Sequence, residues 1–180
     1  MNNLDEKLAI WIRTNIFSNT LGAILSRINR GEFFFLILLP FLWLNPSYRP
    51  FWLAFGFTCI AVYCNDRSVL VLKKFFGRPR PLIQVLGKTD SNPDMRHSFP
   101  SAHSANSMNV VIVLIFCFGF PKWFLVFPLL AGIGRLLTLH HYFSDVIGGW
   151  FLGLVTGCIS VATWFLFVES GIILSLPFWF

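Results

Sequence analysis

The chain has 180 residues, of which 56% are hydrophobic and only 12% are charged, and its formal net charge is +6. A soluble domain carries about twice that share of charged residues, roughly 25%, so the composition excludes an ordinary water-soluble globule. No long polar linker divides the chain. We therefore expect a single domain over residues 1–180, built as an all-α integral membrane bundle.

The N-terminal segment, residues 4–28, is amphipathic and not apolar throughout. Its polar side chains include Arg13, Asn15, Asn19 and Arg27. These are too many polar groups for the hydrocarbon core of a bilayer. The pattern predicts one or two interfacial helices within residues 1–30, lying in the headgroup region.

Apolar runs beyond this segment predict a transmembrane bundle over residues 31–168. Their lengths are near the ~20 residues that a membrane helix needs. The predicted spans cover residues 31–47, 51–72, 104–120, 122–139 and 145–168. Five spans are the expectation, and six remain open if residues 7–28 also cross. Residues 73–103 form the only long polar connection between these spans.

Two patterns inside the spans concern helix packing. Gly149, Gly153 and Gly157 lie four residues apart, which predicts a face of small residues for close helix contact. The second span also carries the polar run Asn65–Arg67. Polar groups at membrane depth face the bundle interior, so we expect either a local Asp66–Arg67 pair or a network that supports a site.

Basic residues are distributed unevenly between the two ends of the spans. With five spans, most lysines and arginines and all four histidines fall on the side of the 73–103 loop. This asymmetry predicts either an anionic ligand at headgroup depth or orientation by the positive-inside rule alone. The distribution of charge does not distinguish an anionic ligand from orientation alone. The spacing of residues within three motifs is more informative.

The first motif, "KKFFGRPRP", follows the second span. Lys73 and Arg80 lie seven residues apart, before Pro81. Arginine offers a planar fork of donors to phosphate oxygens, and lysine offers a compact charge. The motif is also typical of a juxtamembrane run that attracts anionic lipids.

The second motif, "FPSAHS", precedes an apolar run. Pro100 and Ser101 predict a helix start. The first N–H groups of such a helix lack internal partners and can bind an anion. His103 would lie in the first turn, where it can act as a proton donor. A capped helix with an interfacial histidine is the alternative interpretation.

The third motif, "GRLLTLHHYFSD", contains Arg135, His141 and Asp145. If the backbone is nearly helical there, His141 and Asp145 are i,i+4 neighbours. The carboxylate would then hold one ring nitrogen and leave the other as a nucleophile. A surface His–Asp pair explains the spacing equally well, and His140 would point away from such a site.

Together, the three motifs resemble those of the type 2 phosphatidic acid phosphatase superfamily. That family has K-x6-R-P, P-S-G-H and S-R-x5-H-x3-D, which here read Lys73 to Pro81, Pro100 to His103 and Gly134 to Asp145. Ala102 replaces the family glycine and Gly134 replaces the family serine. We expect these departures to tune a site and not to abolish it, because every ionisable position is present.

The resemblance implies a role for each position. His141 would attack phosphorus and form a phosphohistidine, Asp145 would orient His141, and His103 would protonate the leaving oxygen. Phosphate-binding positions would be Lys73, Arg80, Ser101, Ala102 and Arg135. No metal and no other cofactor is implied, and the eight acidic residues form no cluster suited to Mg²⁺.

The predicted function is metal-independent hydrolysis of a lipid phosphate or diphosphate. Candidate substrates are undecaprenyl diphosphate, lipid A, phosphatidylglycerol phosphate and phosphatidate, and the extra Arg96 and His97 favour a diphosphate or lipid A. The predicted partners are the lipid substrate and the bilayer, without nucleic acid. The alternative is a non-catalytic membrane scaffold or transporter that binds anions or lipids without turnover.

The predicted location is a bacterial inner membrane that the chain crosses several times. The family frequently places its site on the periplasmic face, which we adopt here. The positive-inside count favours the opposite orientation. The side of the 73–103 loop still carries more lysines and arginines when the motif residues Lys73, Arg80 and Arg135 are left out of the count.

Overall fold

The structure, a computed structural model, describes residues 3–16, 19–28, 51–81 and 97–170. Within these ranges the chain is helical, and the only β-type pairing is an isolated bridge between Pro79 and His97. The helices are α1 (Asn3–Asn15), α2 (Asn19–Ile28), α3 (Phe51–Phe76), α4 (Ala102–Phe118), α5 (Val126–Leu137) and α6 (Phe143–Glu169). A 3₁₀ turn, Lys122–Leu125, leads into α5. The all-α prediction is confirmed for the described residues.

Two of the described helices are long and apolar enough to cross a membrane, Phe55–Phe76 within α3 and Phe143–Glu169. Helix α4 is apolar but shorter, and α5 has 12 residues after its 3₁₀ turn. Large apolar side chains such as Ile60, Phe151 and Leu166 are exposed on α3 and α6. The predicted span 31–47 lies outside the described residues, so the count of five or six spans stays a prediction.

Helices α4 and α6 pack closely through the glycine face of α6. A Cβ atom added to Gly149 would lie 2.6 Å from the carbonyl oxygen of Ser101. One added to Gly153 would collide with the carbonyl of Ala105, and one at Gly157 would lie 2.9 Å from Cβ of Ile112. Backbone approach this close needs glycine at each position. The predicted packing face is confirmed.

A polar network joins α3, α4 and α6 at the level of the spans. Asn65 donates to Asn106, which donates to Asp66 at 3.1 Å. Thr156 donates to Asn65 at 2.7 Å and accepts from Asn109 at 3.0 Å. Of the two alternatives for this run, the local Asp66–Arg67 pair is wrong, and the support of a site by the network stays a prediction.

Arg67 is exposed and lies over the ring of Tyr63 at 5.7 Å. Successive residues on a helix point about 100° apart. Asn65 and Asp66 therefore reach the bundle interior while Arg67 does not.

The two N-terminal helices pack beside the turn between α5 and α6. Ala9 and Ile12 of α1 form a buried cluster with Leu139 and Tyr142. On the other face of α1, Leu4 and other apolar side chains are exposed. Two short helices agree with the sequence prediction for this segment, and their interfacial location stays a prediction.

Candidate active site

The candidate site lies where the end of α3, the start of α4 and the start of α6 meet. Helix α3 ends at Phe76, and Gly77 follows with a φ of +57°, the left-handed conformation that glycine adopts without strain. Its N–H donates to the carbonyl of Lys73 at 3.0 Å. Beyond it, the carbonyl of Arg78 accepts from N–H of Ser98 at 2.7 Å, and Arg80 is buried.

Ser101 is the N-cap of α4, as the sequence predicts. Its hydroxyl accepts from N–H of Ser104 at 3.5 Å and from the Ser104 hydroxyl at 3.0 Å. Its own N–H donates to the carbonyl of Asp145 at 2.9 Å, which ties the start of α4 to the first turn of α6. Ala102 and His103 form the first turn of α4 and are partly exposed. The Ser101 side chain is fully buried and its oxygen already serves the cap.

The backbone that carries His141 is not helical, contrary to the interpretation of the third motif. Helix α5 ends at Leu137 and α6 begins at Phe143. Between them Leu139 takes a left-handed φ of 54°, which is rare for a residue with a Cβ. Its side chain is 1% exposed, within the cluster of α1 and Tyr142. Burial of this side chain offsets the backbone strain, and the turn delivers His141 into the site.

His141 and Asp145 are nevertheless close. Nδ1 of His141 lies 3.7 Å from Oδ2 of Asp145, which is beyond the ~2.9 Å of an N–H···O hydrogen bond. Within the described part of the chain, Nδ1 has no hydrogen-bond partner. Oδ2 instead accepts from N–H of Tyr142 at 2.8 Å. The spacing therefore predicted the pair correctly, although a turn creates it.

The pKa of His141 lies well below its ordinary value. Complete burial is the largest cause, and the positive charges of Arg135, Arg80 and Lys73 add to it, followed by His103. Both effects disfavour a second proton on the ring. The imidazole is therefore neutral and keeps a lone pair, as a nucleophile requires.

Three buried cations surround His141. Lys73, Arg80 and Arg135 are each at most 8% exposed, and Lys73 donates to the carbonyl of His97 at 3.4 Å. Burying positive charge is costly unless negative charge accompanies it. A phosphate group has the charge and the acceptor oxygens that such a cluster fits. The structure thus brings together the motif residues Lys73, Arg80, Ser101, Ala102, His103, Arg135, His141 and Asp145.

Sequence reasoning missed two charged residues at the site. Arg78 donates to Oδ1 of Asp145 at 2.8 Å and to Oδ2 of Asp5 at 2.9 Å. Arg78 lies within the first motif, so its position in "GRPRP" was an available signal. Asp5 has no such signal, because it is 73 positions away from Arg78.

Of the other polar residues near the motifs, Ser98 also reaches the site, since its buried side chain hydrogen-bonds the Asp145 carboxylate. His97 is partly buried beside Pro79, and Ser98 donates to the carbonyl of Pro79 at 3.1 Å. Arg96 lies outside the described residues. His140 is placed 3.1 Å from the carbonyl of Thr138 through Nδ1, away from His141. Among the described residues, no three His, Cys, Asp or Glu side chains group as metal ligands.

Comparison with known proteins decides the family. The model of the PAP2 superfamily matches residues 50–168, which include all three motifs. The chain belongs to the PAP2 superfamily. This confirms the resemblance inferred from the motifs.

Relatives of this PAP2 chain include a curated protein and two solved structures. The undecaprenyl-diphosphatase BcrC of Bacillus subtilis is 31% identical over 125 residues, which are 68% of this chain and 63% of that protein. The chain therefore spans less than two thirds of this curated relative.

The two structures share the fold of this PAP2 chain. The transmembrane PAP2-type phosphatidylglycerolphosphate phosphatase of Bacillus subtilis has a TM-score of 0.67 at 20% identity, covering 89% of this chain and 84% of that one. LpxE of Aquifex aeolicus has a TM-score of 0.66 at 25% identity, covering 89% and 96%. Both likenesses support a helical PAP2 fold.

Proposed function

We propose that this protein is a metal-independent lipid phosphate or diphosphate phosphatase that works through a phosphohistidine. The observation that carries the proposal is a neutral, buried His141 with Asp145 3.7 Å from its Nδ1 and three buried cations around it. Membership of the PAP2 superfamily supports the same reading. A neutral imidazole among cations is suited to attack on an anionic phosphoryl group.

In the first step the lone pair of His141 Nε2 attacks phosphorus. The P–N bond forms as the bond between phosphorus and the lipid or β-phosphate oxygen breaks. His103 donates a proton to that leaving oxygen. Asp145, on the Nδ1 side of the ring, stabilises the positive charge that develops on the imidazole.

In the second step water hydrolyses the phosphohistidine. His103, now neutral, accepts a proton from the water as its oxygen bonds to phosphorus. The P–N bond breaks, the electron pair returns to His141, and inorganic phosphate leaves. The enzyme regains its starting protonation state, so no external acid or base is consumed.

Fixed positive charge would stabilise both transition states. Lys73, Arg80 and Arg135 would bind the equatorial oxygens, and the first N–H groups of α4, at Ala102 and His103, would complete the cradle. Ser101 holds the start of that helix in place through its cap. Because these donors are positioned before the reaction, they need little reorganisation when charge develops.

The substrate would be an anionic lipid that keeps its tail in the bilayer. Helices α3 and α6 present exposed apolar side chains below the site, which would let a lipid approach from the side. The similarity to an undecaprenyl-diphosphatase favours a lipid diphosphate. Lipid A, phosphatidylglycerol phosphate and phosphatidate remain the other substrates of the proposal.

The deciding experiment measures phosphate release by the purified protein in detergent with EDTA, over a panel of these lipids. His141→Ala is the test variant, and His140→Ala is the matched control because it alters the neighbouring imidazole. We expect release by the wild type and the control and none by His141→Ala. Binding without release, or equal release by His141→Ala, would replace the proposal with an anion-binding scaffold.

We further propose a multi-pass location in a bacterial inner membrane, with the site on the periplasmic face. The site is at the N-terminal end of the 27-residue α6, so the end of that helix would lie on the cytoplasmic side. A C-terminal green fluorescent protein should then fluoresce, and a C-terminal alkaline phosphatase should be inactive. The reverse pattern would contradict the proposed orientation.

A further inference from the structure

Arg78 bridges two carboxylates, one from the first turn of α1 and one from the first turn of α6. Its Nη1 donates to Oδ1 of Asp145 at 2.8 Å and to the hydroxyl of Ser144 at 2.6 Å. Its Nη2 donates to Oδ2 of Asp5 at 2.9 Å. The guanidinium also lies 4.2 Å above the ring centre of Tyr142. The planar fork of arginine is thus held on both edges and on one face.

Asp5 is built into this arrangement by helix α1. Its side chain is almost fully buried, and besides Arg78 it accepts from N–H of Ser144 at 3.2 Å and from the Ser144 hydroxyl. Burial raises the pKa of Asp5, but the hydrogen bonds from Ser144 and Arg78 outweigh it, so the pKa is lower than usual. Asp5 is therefore an anion that fixes one half of the Arg78 fork.

We infer that Arg78 and Asp5 are positioning residues that set the orientation of the Asp145 carboxylate toward His141. The inference rests on the proposed function. Arg78 binds Oδ1 and the N–H of Tyr142 binds Oδ2, so each oxygen of the carboxylate has a donor, and the Ser98 side chain hydrogen-bonds the same carboxylate. Arg78 on Oδ1 restrains rotation of the carboxylate, which keeps Oδ2 on the side of the His141 ring.

The positive charges around His141 explain why the Asp145 carboxylate needs Arg78 in addition. Lys73, Arg80 and Arg135 lie around His141 and would attract an unrestrained Asp145. An Asp145 that turned toward them would neutralise part of the proposed phosphate cradle. The charge-assisted bond from Arg78 opposes this rotation, and Asp5 keeps the guanidinium from following Asp145.

A purely structural role for the bridge, holding α1 against the bundle, makes a different prediction. It would lower the thermal stability and the folded fraction, but folded molecules would keep their kcat. A positioning role lowers kcat with KM nearly unchanged, because the carboxylate acts on the nucleophile and not on substrate binding. Kinetics with folded protein and thermal unfolding therefore separate the two roles.

The experiment compares Asp5→Asn, Asp5→Glu, Arg78→Gln and Arg78→Lys with Glu6→Gln, a matched control next to Asp5 on α1. Partners that orient metal ligands typically contribute about 10–100-fold, and we take the same scale for partners that orient the carboxylate beside a nucleophile. We expect kcat to fall about 10-fold in Asp5→Asn and about 100-fold in Arg78→Gln. Asp5→Glu and Arg78→Lys should recover part of the loss, and Glu6→Gln should match the wild type.

Wild type and His141→Ala are assayed beside these variants on the best lipid of the panel. If the wild type releases phosphate, His141→Ala does not, and both Asp5→Asn and Arg78→Gln retain wild-type kcat, the positioning role is overturned while the proposed function stands. A loss seen only as lower thermal stability overturns it too. If the wild type releases no phosphate, the proposed function fails and the inference fails with it.

Discussion

Nδ1 of His141 lies 3.7 Å from Oδ2 of Asp145, close enough for electrostatic coupling and too far for a hydrogen bond. The same oxygen accepts the N–H of Tyr142 at 2.8 Å. A small ring movement would convert the contact into a hydrogen bond once positive charge develops on the imidazole. In the proposed reaction this coupling matters most in the transition state.

Asp145→Asn tests that coupling. The amide keeps an oxygen to accept from Tyr142, but its NH2 group replaces the oxygen that accepts from Arg78, and it carries no negative charge to stabilise the developing imidazolium. In a related triad arrangement such a change costs about 10⁴-fold in kcat, and we expect a loss of at least about 10²-fold here, where the contact is longer. Steady-state phosphate release provides the measurement, and Glu169→Gln, at the far end of α6, is the control. Activity of Asp145→Asn within about twofold of wild type would contradict the role.

The depressed pKa of His141 makes stability depend on pH. In the unfolded chain the imidazole binds a proton near its ordinary pKa of 6.5, whereas the buried ring does so only at lower pH. Protons then favour the unfolded state as pH falls below about 6.5. We expect the thermal midpoint of wild type to drop more steeply between pH 6.5 and more acidic buffers than that of His141→Gln. Parallel curves would show that the ring is not protected from protonation.

Gly153→Ala should weaken the contact between α4 and α6. The added methyl would meet the carbonyl of Ala105, which is backbone and cannot turn aside. Overpacking of this kind lowers the free energy of unfolding by about 1–3 kcal/mol. Unfolding curves of the protein in detergent provide the measurement. Gly56→Ala is the control, since a Cβ there has nothing within 4 Å. If Gly153→Ala is as stable as Gly56→Ala, the close contact between α4 and α6 contributes little to stability.

Thr156→Val should destabilise the polar network between α3, α4 and α6. The change removes the bond to Asn65 and the acceptor for Asn109 while preserving side-chain shape. Hydrogen bonds between membrane helices contribute on average about 0.6 kcal/mol and at most about 1.7 kcal/mol, so the loss of two predicts about 1–3 kcal/mol. Thr163→Val is the matched control, because the Thr163 hydroxyl donates to the carbonyl of Ile159 within the same helix. A larger loss in Thr163→Val would refute the role of the network.

Much of the candidate site was visible in the sequence because its motifs are local. Lys73 and Arg80 flank one helix end, and Ser101 to His103 start the next helix. The spacing from Arg135 to Asp145 spans a single turn. Within such short segments, residue order and hydrophobic pattern limit the available backbone geometry.

The predictions that were wrong concern side chains with more than one possible partner. The sequence places Asp66 next to Arg67, but helix geometry sends Arg67 outward and leaves Asp66 with Asn106. The sequence also did not predict the left-handed turn at Leu139. Leucine does not favour that conformation, and only the buried cluster with α1 explains it.

The sequence by itself determined the apolar helices, the glycine face and the positions of the motif residues, because hydrophobicity and spacing act over a few turns of chain. Only the tertiary structure decided that Asp5 meets Arg78 and that Arg78 meets Asp145. These contacts join positions 73 and 67 residues apart. Their existence depends on how α1, α3 and α6 pack against one another, and a pattern within one helix carries no information about that packing.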